Sequence, residues 1–383
     1  MNVLLLADTN PRASIAILRT LFDNKNLKVY IALARIGFLN KLPFPKQYLL
    51  DVYKYENSSE KKFIDSLINI ALQIGEYFLM PTGEQLIRWV LNNKKKLHSV
   101  GVLTSLPELS VYKHLSDKSS FVTLCQSNEI PTPKSLPLNE LLSKNFDNKF
   151  VVKPLLLYDN HENRLLSCPF IVDNSSSFNL LKEKNLEINK HFAQDYIGDH
   201  SVYYCVHYVH GEKKVFFSQR NLLQQPGGKS IVKAISFEID SKLTDKIDAM
   251  MSTLNMHGVC MIELKYDRKT NQYYAIECNP RFWGPLQLAI DNGVNFPMSL
   301  LGFELVKPKT SNNIGYFWAG GIVQAFIYKF VYKSSIQRDQ ISNLEHILFK
   351  DIWLRKDTIA YYLIEYLHIF YGGMKTILKS FIK

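Results

Sequence analysis

The sequence has no run of about 18 apolar residues, which excludes a membrane-spanning helix. Its five cysteines (Cys125, Cys168, Cys205, Cys260 and Cys278) are odd in number and include no C-x-x-C pair. That excludes a thiolate zinc site and a disulfide scaffold, and a reducing compartment is expected. The turn after the first apolar run, Asp8-Thr9-Asn10-Pro11, carries no G-x-G-x-x-G, so a dinucleotide-binding Rossmann site is unsupported. Nothing repeats at a fixed period, which argues against a solenoid. Residues 1–9 have neither a basic n-region nor a cleavage site, so a cytoplasmic protein is the expectation. The lysines are scattered, with only short runs at 61–62 and 94–96, and no basic stripe interleaves with aromatics; a nucleic-acid groove is not expected.

What is present is ordinary for a globular chain of several units: 383 residues, 46% hydrophobic and 21% charged. The net charge of +11 favours anionic partners, nucleotides and carboxylated or phosphorylated substrates among them. An apolar run at 3–7, a helical pattern at 13–22 and a second apolar run at 28–33 read as strand–helix–strand, hence a parallel sheet. Helices are expected at 61–73 and 83–96, with strands at 77–80 and 98–103. A loop at 106–110 separates this cap from a helix opened by Asp117-Lys118. Then come the rigid Ile130-Pro131-Thr132-Pro133 and a short β-branched strand ending in Lys153-Pro154. Residues 192–197 and 201–209 are strand-like, with a turn at 211–213 and a return strand at 214–218.

The densest chemical signal lies at 259–283. Two strand patterns, 259–266 and 273–279, flank turn formers at 267–272 and predict an antiparallel hairpin. If Asp267 pairs with Tyr273, the same register sets Glu263 opposite Glu277, with Asn279 two residues on along the same face. Opposed carboxylates repel, and a shared proton, a divalent cation between them or a solvent-facing hairpin accommodates that. Two carboxylates and an amide oxygen form a hard donor set suited to Mg²⁺. Arg281 leaves the strand beside them, where its guanidinium can clamp a phosphate or carboxylate or serve in a surface ion pair.

Glu263, followed by Glu277-Cys278-Asn279-Pro280-Arg281, resembles the signature of the ATP-grasp superfamily, and the longer 277–297 stretch is similar to carbamoyl phosphate synthetase and biotin carboxylase-like members. The resemblance spans about 106–305 and implies a mixed α/β and α+β fold. It implies a parallel α/β cap (1–105), a small lid subdomain (106–190), an antiparallel-sheet catalytic subdomain (191–306) and a partly helical C-terminal extension (307–383). It implies ATP and Mg²⁺ (or Mn²⁺) as cofactors, with Glu263, Glu277 and Asn279 on the metal and Lys118 and Lys153 on the phosphates. Gln194, Asp195, Tyr196 and Ile197 would receive adenine and Asp199 the ribose. Arg281 and Arg220, with the glycine loop at 224–230, would face phosphate and substrate. The implied activity is a carboxylate–amine ligase forming an amide through an acyl phosphate, on amino acids or uronic-acid sugars, with a non-catalytic ATP-binding scaffold as the alternative. Cys278 should point to the opposite face from the ligands and pack. Residues 358–383 have helical apolar spacing with a break at Gly372-Gly373. They fit a helix packed on the body or one contacting a membrane or a second copy of the chain.

Overall fold

The computed structural model describes residues 1–7, 10–34, 44–143, 148–154, 158–159, 164–165, 170–183, 186–198, 200–225, 230–304, 313–332, 337–338 and 346–381. Five parallel strands form the first sheet, in the order Val52–Lys54, Lys28–Leu33, Asn2–Leu6, Tyr77–Pro81, Val102–Leu103. Alternation explains its two-sided burial. Val3 and Leu5 enter one core with helix Pro11–Phe22, while Leu4 and Leu6 enter another with helices Glu60–Ile74 and Glu84–Asn92. The expected helix at 83–96 is two, broken at Asn93, whose side chain donates to Trp89 O. The expected strand at 98–103 is only Val102–Leu103, because His98 still belongs to helix Lys94–His98. The edge strand Val52–Lys54 was not anticipated.

A four-stranded antiparallel sheet follows: Phe170–Val172, Phe150–Pro154, His191–Asp195, Ser135–Pro137. One face packs Phe150, Val152 and Ala193 on helix Ser175–Glu183 through Phe178 and Leu181. The other face carries Lys153 and Gln194, which alternate with those apolar residues.

The largest sheet runs Gln272–Asn279, Gly258–Asp267, His200–Val209, Glu212–Gln224, Ile231–Ser236, Ile314–Phe317, Leu348–Asp351, with Gln337–Arg338 paired to Glu212–Gln224. Its pairs are antiparallel except the last, Ile314–Phe317 with Leu348–Asp351, which is parallel. Strand His200–Val209 shows how the faces divide. Val202, Tyr204, Val206 and Tyr208 pack with helices Lys118–Ser127 and Ser241–Thr253, whereas Tyr203 and Cys205 face the core built on Pro11–Phe22. The turn after it is His210-Gly211, both at positive φ, a two-residue hairpin loop one residue earlier than expected. A Cβ on Gly211 would lie 2.9 Å from Ser252 backbone atoms, so glycine is required.

The strands at 314–317 and 348–351 complete this sheet. Asp351 accepts from the N–H groups of Ala319, Trp353 and Leu354 and so caps helix Ala319–Tyr332. Helix Ile359–Phe381 runs through Gly372-Gly373 without the expected break. Two glycines cost roughly 1 kcal/mol each in a helix, and docking of the preceding turns through Tyr362 and Ile369 holds it helical. None of the described helices is long and apolar enough to cross a membrane.

Candidate functional site

Lys118 is the first residue of helix Lys118–Ser127, whose N-terminus Asp117 caps by accepting from Ser120 N at 2.7 Å. Phe121, Val122 and Cys125 bury the face on which Lys118 also lies, so the lysine is carried against strand Gln272–Asn279 at the edge of that core. Its ammonium sits 3.1 Å from Glu277 Oε2. Lys153 comes from the opposed four-stranded sheet, is buried, and donates to Gln194 Oε1 at 2.9 Å. The Gln194 amide in turn donates to Ser135 Oγ.

The hairpin holds a correction. Asp267 pairs with Gln272 and Leu264 with Ala275, one residue off the expected register. Glu263 nevertheless pairs with Glu277, and Met261 with Asn279, because a β-bulge at Ile276 inserts one residue between the two registers. The expected opposition of the glutamates therefore holds through a feature the turn argument did not contain. Asn279 donates to Glu277 Oε1 at 3.0 Å and accepts from Arg281 Nη2 at 3.0 Å. Cys278 lies on the other face, in the core with Cys125 and Cys260.

Electrostatics separate the two glutamates. Burial alone would raise Glu277, but Lys118 and Lys153 outweigh it and bring its pKa down to about 2. Burial raises Glu263, with Glu277 adding to the rise and Lys265 and Lys153 opposing it. Lys153 is lowered to about 8 by burial and then by Lys118, against the pull of the two glutamates. Lys118 is raised: burial opposes its charge, and the attraction of Glu277 more than offsets that. Among the described residues no group of three His, Cys, Asp or Glu side chains could hold a metal. A cation here would rest on two carboxylates and one amide oxygen and take its remaining ligands from water or phosphate, which fits Mg²⁺ better than an all-protein cage.

Not every expected residue joins this cluster. Arg220 pairs with Val202, which faces the Ser241–Thr253 helix, and its guanidinium lies 5.5 Å from the Phe237 ring. It is therefore on the sheet face opposite Glu263, and the period-two alternation that sends Gln219 and Asn221 inward sends Arg220 away. Asp195 is exposed, and the Tyr196 N–H is taken by Lys149 O; Ile197 is half-buried beside them. Asp199 and residues 226–229 of the glycine loop lie outside the described residues.

The sequence reading missed Tyr203, Gln219 and Asn221. Tyr203 pairs with both Glu263 and Gln219, so the four residues Glu277, Glu263, Tyr203 and Gln219 form one row across four strands. Burial, then the charges of Glu263 and Glu277, push the Tyr203 hydroxyl far up in pKa and keep it a neutral donor toward Glu263. The signal that could have found the amides is two uncharged polar side chains at i and i+2 within a long strand. Arg12, at the head of helix Pro11–Phe22, reaches Ile231 O and the Tyr316 hydroxyl and stacks 4.0 Å from the Trp318 ring.

No protein-family model matches the sequence. A D-aspartate ligase of Enterococcus faecium (strain Aus0004) is 23% identical over 259 residues, and the chain spans 61% of the length of that relative, as the match spans 61% of this chain. The L-amino acid ligase of Bacillus licheniformis superposes with a TM-score of 0.58 at 16% identity, covering 78% of this chain and 73% of that one. Biotin carboxylase of Campylobacter jejuni gives 0.58 at 14% identity, covering 80% and 72%. The chain thus shares the fold of these proteins, the ATP-grasp fold, with its parallel sheet and its antiparallel sheets.

Proposed function

We propose that the chain is an ATP-dependent carboxylate–amine ligase. The observation that carries this reading is the convergence of Lys118, Lys153, Glu263, Glu277 and Asn279, drawn from one helix and three strands. A carboxylate oxygen of the acid attacks the γ-phosphorus of ATP, the bond to the β–γ bridging oxygen breaks, and ADP leaves. The amine then attacks the acyl carbon, the acyl C–O bond breaks, and phosphate and a proton depart. Glu263, Glu277 and Asn279 would hold Mg²⁺, which would supply charge neutralisation at the phosphates. Lys118 and Lys153 hold phosphate oxygens from two sides, and the segment 194–197 backs the base. Arg281, fixed by its bonds to Asn279 Oδ1 and Phe282 O, steadies charge on the acid. Among the described residues, the buried free thiols of Cys125, Cys205, Cys260 and Cys278 fit a reducing, cytosolic setting. Amino acids and uronic-acid sugars are the acids and amines to test first.

ADP release in the presence of MgATP and mixed acids and amines tests this, with Glu277→Ala as the control. Stimulated release that Glu277→Ala abolishes is expected; tight ATP binding with no release for any pair favours the scaffold alternative.

One surface favours an added location. Ile359, Leu363, Leu367, Phe370, Tyr371 and Met374 of the last helix are all exposed, at spacings of three and four. We read this stripe as a peripheral contact with anionic lipid, in keeping with the basic chain. Co-sedimentation with anionic vesicles, lost in a Leu363→Glu, Leu367→Glu variant, is the expected result. Concentration-dependent dimerisation through the stripe, without vesicle binding, would sink it.

A further inference from the structure

The row that begins with Glu277 and Glu263 does not end at Tyr203. Gln219 is its next member, and Asn221 lies two residues further along the same strand on the same face. Gln219 is fully buried with no hydrogen-bond partner at either end of its amide among the described residues, and Asn221, 4% exposed, has only the Tyr203 hydroxyl beside it, short of ordinary hydrogen-bond geometry. An unsatisfied amide removed from water costs on the order of 1–3 kcal/mol, and a fully buried one beside a second under-partnered amide calls for a group to meet them. The next pair toward the interior, Cys205 with Phe217, is packed in the apolar core. The amides therefore stand where that core gives way to the polar floor running from the glutamates.

We propose that Gln219 and Asn221 read the end of the acid substrate remote from its reacting carboxylate, and that this acid is an amino acid. The inference rests on the ligase reading above. Two strand spacings separate Gln219 from Glu263, roughly 10 Å. Bicarbonate or acetate held at the glutamates and Arg281 cannot span that gap, and a fatty acid would leave both ends of the Gln219 amide unmet. An amino acid reaches across it and supplies both donors, from its ammonium, and acceptors, from a second carboxylate, amide or hydroxyl. Each amide offers the complementary oxygen and NH₂ group.

The test uses the full chain, MgATP, a mixed amine pool and an acid series of bicarbonate, acetate, octanoate, glucuronate and individual amino acids, with wild type, Gln219→Leu and Asn221→Leu. Amino acids should stimulate ADP release best. Each variant should raise the KM for the preferred amino acid tenfold or more while changing kcat much less, and should leave the Kd of a fluorescent ATP analogue unchanged. The same amino acid should raise the melting temperature of the wild type bound to a non-hydrolysable ATP analogue, and not that of the variants. Without ligand, Gln219→Leu should be at least as stable as the wild type, since it removes unmet polar atoms. A Gln219→Leu variant that is markedly destabilised or unfolded means the amide has an internal partner and overturns the proposal. ADP release driven equally by acetate or bicarbonate in all three proteins overturns it too, while leaving the ligase reading intact. ATP binding without release for any acid overturns both readings.

Discussion

Changing Glu365 to Gln isolates one titration in the docking of the C-terminal helix. Trp318 Nε1 donates to Glu365 Oε1 at 2.8 Å, while Oε2 has no hydrogen bond of ordinary geometry among the described residues and lies near Gly320. Burial, with the Asp351 carboxylate nearby, raises the Glu365 pKa from 4.5 to about 7, against the pull of Trp318 and Arg12. The folded chain thus binds more protons than the unfolded one between those two values. This group's stabilisation is complete below pH 4.5, declines as pH rises through the window, and is gone above about 7. At ~1.36 kcal/mol per pH unit, the span from 4.5 to about 7 sets an upper bound near 3 kcal/mol. Partial solvent access reduces that to about 1–3 kcal/mol. Glutamine keeps an acceptor for Trp318 and cannot ionise. Urea unfolding followed by tryptophan fluorescence from pH 4 to pH 8 should show wild type and Glu365→Gln nearly equal at the acid end. The variant should be more stable by about 1–3 kcal/mol at the alkaline end. Subtraction removes every other titrating group common to both proteins. A difference that stays constant across the range would refute the reasoning.

Lys153, lowered to about 8, should make ATP-analogue affinity fall as pH rises through that value, since the free site loses a cation; Lys153→Arg should flatten the profile, and an unchanged inflection would count against the assignment. Lys118→Met and Glu277→Gln should show a coupling of about 1–3 kcal/mol in a double-mutant cycle of unfolding free energies, and less than about 0.5 kcal/mol would mean the 3.1 Å pair is incidental. Asp351→Ala should cost about 2–4 kcal/mol in denaturant unfolding, because three backbone N–H groups lose their acceptor; a loss under about 0.5 kcal/mol would contradict the capping geometry.

The elements legible in the sequence are those in which every residue reports the same environment. Strands Asn2–Leu6 and Lys28–Leu33 are apolar on both faces because helices cover both, and Asp117 marks a helix start by its own side chain. Lys118 and Lys153 sit at element ends, where sequence punctuation is clearest. What escaped were features decided by distant partners. Strands Ile314–Phe317 and Leu348–Asp351 are four residues long and owe their existence to the sheet edge they extend. Arg220 has the charge for catalysis, but only the pairing of its strand reveals that it faces Phe237. Gln219 and Asn221 look like ordinary strand polars until burial is known.

Ile276 joins the core to the chemistry. Continued from the turn without interruption, the hairpin register would set Glu263 against Ile276 and Glu277 against Ile262. Ile262 lies in the core with Cys260, Leu264 and helix Ser241–Thr253, so that register would drive an ionised carboxylate into apolar surroundings, at a cost of several kcal/mol. It would also lift Cys278 out of the core it shares with Cys125. One unpaired residue removes both penalties, at the small cost of a disrupted ladder bond. The apolar packing of Cys278 therefore selects the bulge, and the bulge brings Glu277 and Asn279 to the face where Lys118 and Glu263 wait. Site and core are specified by the same residues on alternate sides of one strand.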